Sequence, residues 1–267
     1  MSGIEVGGGG EPRQVASDSG EQAFYALLAP VYDAIFPLSP ALVLRVETLL
    51  AEAPQKTLLD LGSGGGQLAV QIARTAARVV AVDHHHDMVA AGARLAKRAG
   101  VPVIWRQGDL VSVSRTTGER FGVVVCVGNT LVHLPGLGAI ADGLRGMCAS
   151  LKPDGNLLIQ TINVDRCMNE GSLEPQLKRA TGPEGEVVLK RRYSLTPHGG
   201  LQFATEVERG DQRARFSLDM VALTAQQLHE MACQAGFKQV RLFGDYQGAA
   251  WSRQSPATIL LARGPAY

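Results

Sequence analysis

The residues with the clearest capacity for chemistry lie between positions 58 and 83. Leu58-Leu59-Asp60-Leu61 is an apolar run holding one carboxylate, and Gly62-Ser63-Gly64-Gly65-Gly66 follows it directly. Leu68, Ala69, Ile72 and Ala73 then repeat with helical spacing, and a second apolar run, Val79 to Val82, ends on Asp83. Strand, glycine turn, helix and carboxylate-capped strand make a nucleoside-binding βαβ unit. Its glycines let backbone approach a ligand closely, and the carboxylate of Asp83 can take both ribose hydroxyls. Two other nucleotide sites are excluded by spacing. A dinucleotide turn starting at Gly62 requires glycine at position 67, where Gln67 stands, and no Gly-Lys-Ser/Thr follows to make a phosphate loop.

The pattern Asp-x-Gly-x-Gly-x-Gly over 60–66 resembles motif I of the class I S-adenosylmethionine (SAM) dependent methyltransferases. The resemblance implies SAM as cofactor and S-adenosylhomocysteine as product. It assigns cofactor binding to Asp60, Gly62, Ser63, Gly64 and Gly66, and to Asp83 with His84 at the end of the second strand. Met88 resembles the position that packs against the adenosine. Gly108-Asp109-Leu110 resembles the adenine clamp, in which Asp109 accepts from the exocyclic amine. Val127-Gly128-Asn129 falls in motif IV, the strand end that faces the methyl group. Asn129 lacks the Pro-Pro-Tyr/Phe of amino-methylating DNA and protein enzymes, and the Pro-Cys pair of cytosine enzymes is absent. Tyr25 and Leu28-Ala29-Pro30-Val31-Tyr32-Asp33 resemble the N-terminal lid of glycine and sarcosine N-methyltransferases, as do Phe243-Gly244-Asp245-Tyr246 and Ser255-Pro256-Ala257 those enzymes' C-terminal segments. This branch implies methylation of a small-molecule acceptor at an amine nitrogen, with Tyr25 and Tyr32 closing over it. Rival readings are small-molecule O-methylation, methylation of RNA or protein, and a non-catalytic SAM-binding regulatory subunit.

Several side chains add chemistry of their own. His133 lies four residues past Asn129, where a neutral imidazole can take a proton from an ammonium substrate. Asn163 and Arg166, just after the fifth strand, can grip a substrate carboxylate. His84-His85-His86 is a solvated loop rather than a metal site, because adjacent side chains diverge. Lys190-Arg191-Arg192 is a solvated strand face.

The elements that must position these residues follow from periodicity. Strands are expected near 57–61, 78–82, 102–107, 122–127, 156–162, 238–243 and 257–263. Helices are expected near 66–76, 86–99 and 137–151, with another from the capping box Thr224/Gln227 to Gly236. Alternation of strand and helix predicts an α/β fold, a seven-stranded, mostly parallel, Rossmann-like sheet with helices on both faces. Leu151-Lys152-Pro153-Asp154-Gly155 is expected to end a helix with a turn. Three amphipathic strands near 186–193, 201–209 and 213–221 predict an antiparallel β insertion after strand five, spanning 165–221. It is expected to serve as an acceptor lid or a homodimer surface. The core is then 21–164 and 222–267, and 1–20 is a disordered leader. A net charge of +1 with 19% charged residues argues against a nucleic-acid surface. Four separated cysteines, no membrane-length apolar run and no signal peptide point to a cytoplasmic protein.

Overall fold

The structure, a computed structural model, describes residues 31–265 apart from 172, 174, 175, 183 and 184. Its strands are β1 (Thr57–Leu61), β2 (Arg78–Asp83), β3 (Ile104–Gln107), β4 (Phe121–Cys126), β5 (Leu151–Ile162), β6 (Gln176–Gly182), β7 (Gly185–Leu195), β8 (Leu201–Arg209), β9 (Gln212–Met220), β10 (Lys238–Phe243) and β11 (Ala257–Arg263). Its helices are α1 (Tyr32–Ile35), α2 (Pro40–Glu52), α3 (Gln67–Ile72), α4 (His86–Ala99), α5 (Val113–Thr117), α6 (Leu137–Ala149), α7 (Val164–Glu170) and α8 (Ala225–Gln234). The expected leader and Tyr25 lie outside the described residues.

Uninterrupted apolar runs become central strands because a parallel strand is covered on both faces. β1, β2 and β4 accordingly bury nearly every residue, and the sheet runs β10-β11-β5-β4-β1-β2-β3. Only β11 is reversed, pairing antiparallel with both β5 and β10. One face packs on α6 and α8 through Ile140, Leu144, Met147, Leu228 and Ala232. The other packs on α2 and α3 through Leu42, Val46, Leu49, Leu68 and Ile72. Local signals set the helix ends. Ser39 caps α2 by accepting from Leu42 N–H (3.4 Å) ahead of Pro40, and Gly100 closes α4 in the left-handed region at φ +66°. The capping box of Thr224 and Gln227 opens α8 as expected.

β6 to β9 form a separate antiparallel meander. Leu201, Phe203, Thr205 and Val207 share its inner face with Tyr193, Phe216 and Met220. Glu206 and Glu208 stand on the outer face, paired with Arg215, Arg213 and Lys190. One end of the inner face joins the main core through Tyr193, Leu201 and Met220, while the other covers Val31 and Ile35.

Four details differ from expectation. β6 gives no amphipathic signal, since Leu177, its one large apolar residue, is 50% exposed; it forms by pairing along its whole length with β7. The short α5 and α7 were likewise not foreseen. Leu151–Gly155 begins β5 through a register shift, with Asp154 at φ +54°, instead of forming a free turn. Arg191 is not on the solvated face: its guanidinium lies 5.8 Å from the Phe36 ring, beside Lys178 at 4.8 Å.

Candidate active site

Register brings the C-terminal ends of the parallel strands to one rim. Leu61 pairs with Val82 and with Cys126, and Asp83 pairs with Gln107. In open α/β sheets this is the ligand edge. The glycine turn is anchored there by backbone. Gly62 and Ser63 N–H both donate to Val82 O (2.8 and 3.1 Å), and Gly66 N–H closes on Ser63 O (2.9 Å).

The three alternate glycines of the turn, Gly62, Gly64 and Gly66, have φ of +66°, +52° and +82°, but their surroundings differ. A Cβ on Gly62 would collide with the Thr130 side chain, and one on Gly66 with the Trp105 ring. Protein therefore packs tightly against both ends of the turn. Among the described residues, a Cβ at Gly64 or Gly65 would meet no atom within 4 Å. Among those residues the middle of the turn is uncovered, as a ligand cradle must be.

Two carboxylates flank that space. Asp83 is 8% exposed; its Oδ2 accepts from Gly64 N–H (2.8 Å) and its Oδ1 from His85 N–H (2.9 Å). Each oxygen keeps a further lone pair, enough for two vicinal hydroxyls. Asp60 is buried, and its Oδ2 has no hydrogen bond among the described residues. Burial, and then repulsion from Asp83, push its carboxyl up to about 7, against a lowering by Ala69 N–H. Ser63 Oγ is also buried without a partner among the described residues. Buried polar atoms are ordinarily paired, so these orphans mark a place for a polar, cationic ligand. SAM, with its ribose hydroxyls, ammonium and sulfonium, fits this donor and acceptor set.

The expected adenine side is more mixed. His84 is exposed, with its carbonyl accepting from Gln107 Nε2 (3.1 Å), and Met88 is half-buried on α4. Gly108 N–H donates to Asp83 O (3.0 Å), Leu110 is buried, and the exposed Asp109 accepts Ser112 N–H at Oδ1 (2.7 Å). That bond holds the turn leading into α5 and lowers the carboxyl pKa. At the end of β4, Val127 and Asn129 are half-buried and Gly128 is exposed. Cys126 behind them is fully buried beside Asp60, and its thiol is pushed far up by burial. His133 ends the 3-10 turn Thr130–His133 as an exposed residue, and partial desolvation by the surrounding protein holds its pKa below the ordinary imidazole value.

Two expected substrate residues are engaged elsewhere. Asn163 Nδ2 donates to the carbonyls of Ser252 (3.1 Å), Arg253 (3.3 Å) and Ser255 (2.9 Å), so its donors fasten the 252–255 turn. Arg166 Nε pairs with Glu170 Oε1 (3.1 Å) one helical turn away on α7. Tyr32 is placed in α1. Conversely, two residues absent from the sequence reading stand at the site. Gln160 on β5 and Tyr193 on β7 both bond Asn129, at 3.1 and 3.3 Å. Gln160 is visible as a polar residue directly after the apolar run Leu157–Ile159, whereas nothing in sequence joins Tyr193 to Asn129. Among the described residues, no group of three or more His, Cys, Asp or Glu side chains could hold a metal ion, and no helix is long and apolar enough to cross a membrane.

Residues 58–155, which include the glycine turn and both carboxylates, match the methyltransferase domain family. A glycine/sarcosine N-methyltransferase of Parasynechococcus marenigrum (strain WH8102) is 27% identical over 207 residues, 74% of this chain and 69% of that protein. A ubiquinone biosynthesis O-methyltransferase of Methylobacterium sp. (strain 4-46) is 36% identical over 107 residues, 40% of this chain and 41% of that protein. The fold is shared with a SAM-dependent methyltransferase from Clostridium acetobutylicum ATCC 824, with a TM-score of 0.71 at 12% identity over 91% of this chain and 99% of that one. With its strand order, its glycine cradle and its two acidic strand ends, the chain carries a methyltransferase domain over residues 58–155 and resembles the class I S-adenosylmethionine-dependent methyltransferases.

Proposed function

We propose that the chain methylates an amine nitrogen of a small molecule. The observation that carries this reading is how far each likeness extends. The ubiquinone biosynthesis O-methyltransferase matches extend over 107 to 145 residues, 40% to 52% of this chain. The glycine/sarcosine N-methyltransferase matches extend over 74% of this chain, about twice the length of the 58–155 domain. Fold alone does not choose an acceptor, so this extent is what favours nitrogen.

Bound SAM supplies a methyl group already activated on a sulfonium. The chain has to align it, exclude water and keep the acceptor lone pair free, and alignment alone can lower a barrier by about 7–11 kcal/mol. In this reading Gly64 and Gly65 admit the cofactor, Asp83 takes the ribose hydroxyls and Asp60 faces the positive end. Met88 and Leu110 pack against the adenosine, and the second oxygen of Asp109 meets the adenine amine. Val127, Gly128 and Asn129 border the acceptor. His133, neutral at physiological pH because its pKa is lowered, takes the proton from the substrate ammonium.

The test is turnover with paired panels of small amines and small hydroxylated acceptors. Turnover of amines is expected, with an acid limb of kcat below the ordinary imidazole range that His133→Gln abolishes. The sign follows from the lowered pKa: the neutral base persists to lower pH and is lost only as pH falls through that value. Turnover confined to hydroxyl acceptors would replace this reading with O-methylation.

A further inference from the structure

The polar contacts around Asn129 fix their own direction. Gly128 N–H donates to Gln160 Oε1 (2.7 Å), and a backbone N–H can only donate. Gln160 therefore turns Nε2 to Asn129, which has to present Oδ1 (3.1 Å). Asn129 Nδ2 is then left facing the Tyr193 hydroxyl (3.3 Å), which has to accept. One backbone hydrogen thus sets the polarity of three side chains drawn from the β4 loop, β5 and the insertion sheet. The arrangement is held at both ends. Asn129 sits at φ +69°, a strained value for a side-chain-bearing residue, and Tyr193 is 6% exposed with its ring against Phe203 (centroids 5.1 Å apart).

We propose that Gln160 and Tyr193 are positioning residues for methyl transfer, which make the Asn129 end of the site a pair of hydrogen-bond donors. The donors are the second Nδ2 hydrogen of Asn129 and the hydroxyl hydrogen of Tyr193, neither of which is used by the relay itself. The proposal rests on the reading that Asn129 borders the acceptor. Two donors favour a substrate carrying an oxygen with free lone pairs next to its nucleophile, such as a carboxylate, carbonyl or hydroxyl, and they disfavour a second ammonium there. The acceptor class is therefore an amine with a neighbouring oxygen group. The insertion sheet acquires a defined part in catalysis: β7 reaches the β4 loop through one hydroxyl.

Gln160→Glu reverses the relay. Its carboxylate oxygens accept from both Gly128 N–H and Asn129 Nδ2, so Asn129 turns Oδ1 to Tyr193 and the phenol has to donate. Raman spectroscopy of the protein loaded with S-adenosylhomocysteine reads this directly, because the tyrosine Fermi-doublet ratio separates an accepting phenol from a donating one. The chain has five tyrosines, and subtraction of the Tyr193→Phe spectrum isolates the one of interest. An accepting phenol is expected in the wild type and a donating phenol in Gln160→Glu, with Gln160→Leu losing the accepting signature without gaining the donating one. Identical ratios in wild type and Gln160→Glu would overturn the relay. With a working amine acceptor, Tyr193→Phe and Gln160→Glu are each expected to lower acceptor kcat/KM about tenfold or more while the KM for SAM holds. Unchanged acceptor kcat/KM in both variants overturns the positioning role. Failure to find any amine acceptor counts against the proposed function alone, since the Raman comparison needs none.

Discussion

Replacing Asp60 by Asn tests the electrostatics of the cofactor site without changing its shape. In the unfolded chain this carboxyl titrates near 3.8, and in the folded protein near 7. Between those values the folded state binds the proton that the unfolded state has released, so wild-type stability falls as pH rises across the window. Below 3.8 both states are protonated and there is no penalty; above 7 the penalty is complete, at about 4 kcal/mol. That is a large share of the stability of an ordinary domain, about 5–15 kcal/mol. An amide at position 60 does not ionise, so the substitution removes the slope, whatever its uniform effect on stability. The assay is chemical denaturation of the cofactor-free protein at steps from pH 4 to pH 8. The wild-type curve is expected to drop relative to Asp60→Asn by up to about 4 kcal/mol, most of it before pH 7. Calorimetry supplies the complement. A cationic ligand drives the proton off Asp60, so SAM binding near pH 6 is expected to release protons in the wild type and not in the variant. Parallel stability curves, together with equal proton release, would refute the placement of a high-pKa carboxyl at this site.

Two further substitutions separate the cofactor site from its scaffold. Asp83→Ala removes the ribose acceptor and the anchor of Gly64 N–H together, and is expected to raise the SAM dissociation constant tenfold or more, measured by titration calorimetry; an unchanged constant would remove the ribose assignment. Asn163→Ala frees three carbonyls of the 252–255 turn and is expected to lower unfolding stability by about 2–4 kcal/mol while leaving SAM affinity intact. Undiminished stability with a raised acceptor KM would instead return Asn163 to the substrate.

Local pattern carried most of the cofactor half. Motif I, Asp83 and the strand run could be read because each depends on neighbours in sequence: a left-handed turn needs glycine, a buried parallel strand needs an unbroken apolar run, and a capping box needs Thr224 and Gln227 three residues apart. What sequence did not show depends on distant partners. Leu177 gives no strand signal because β7, not burial, holds β6 in place. Asn163 looked free to bind a carboxylate because the carbonyls it holds lie about ninety residues further along the chain. Arg191 looked solvated until the fold brought Phe36 beneath it.

Sequence by itself determined the class of cofactor, the strand order's raw material and the identity of both acidic strand ends, because these follow from local backbone geometry and from which side chains water excludes. Tertiary structure alone decided why Gly62 and Gly66 reject a side chain while Gly64 meets none of the described residues, since Thr130 and Trp105 arrive from other elements. It alone also raised the pKa of Asp60, through burial and the nearness of Asp83, and brought Tyr193 to Asn129 across sixty-four positions. Desolvation and contact are properties of space, and spacing along a chain does not encode them.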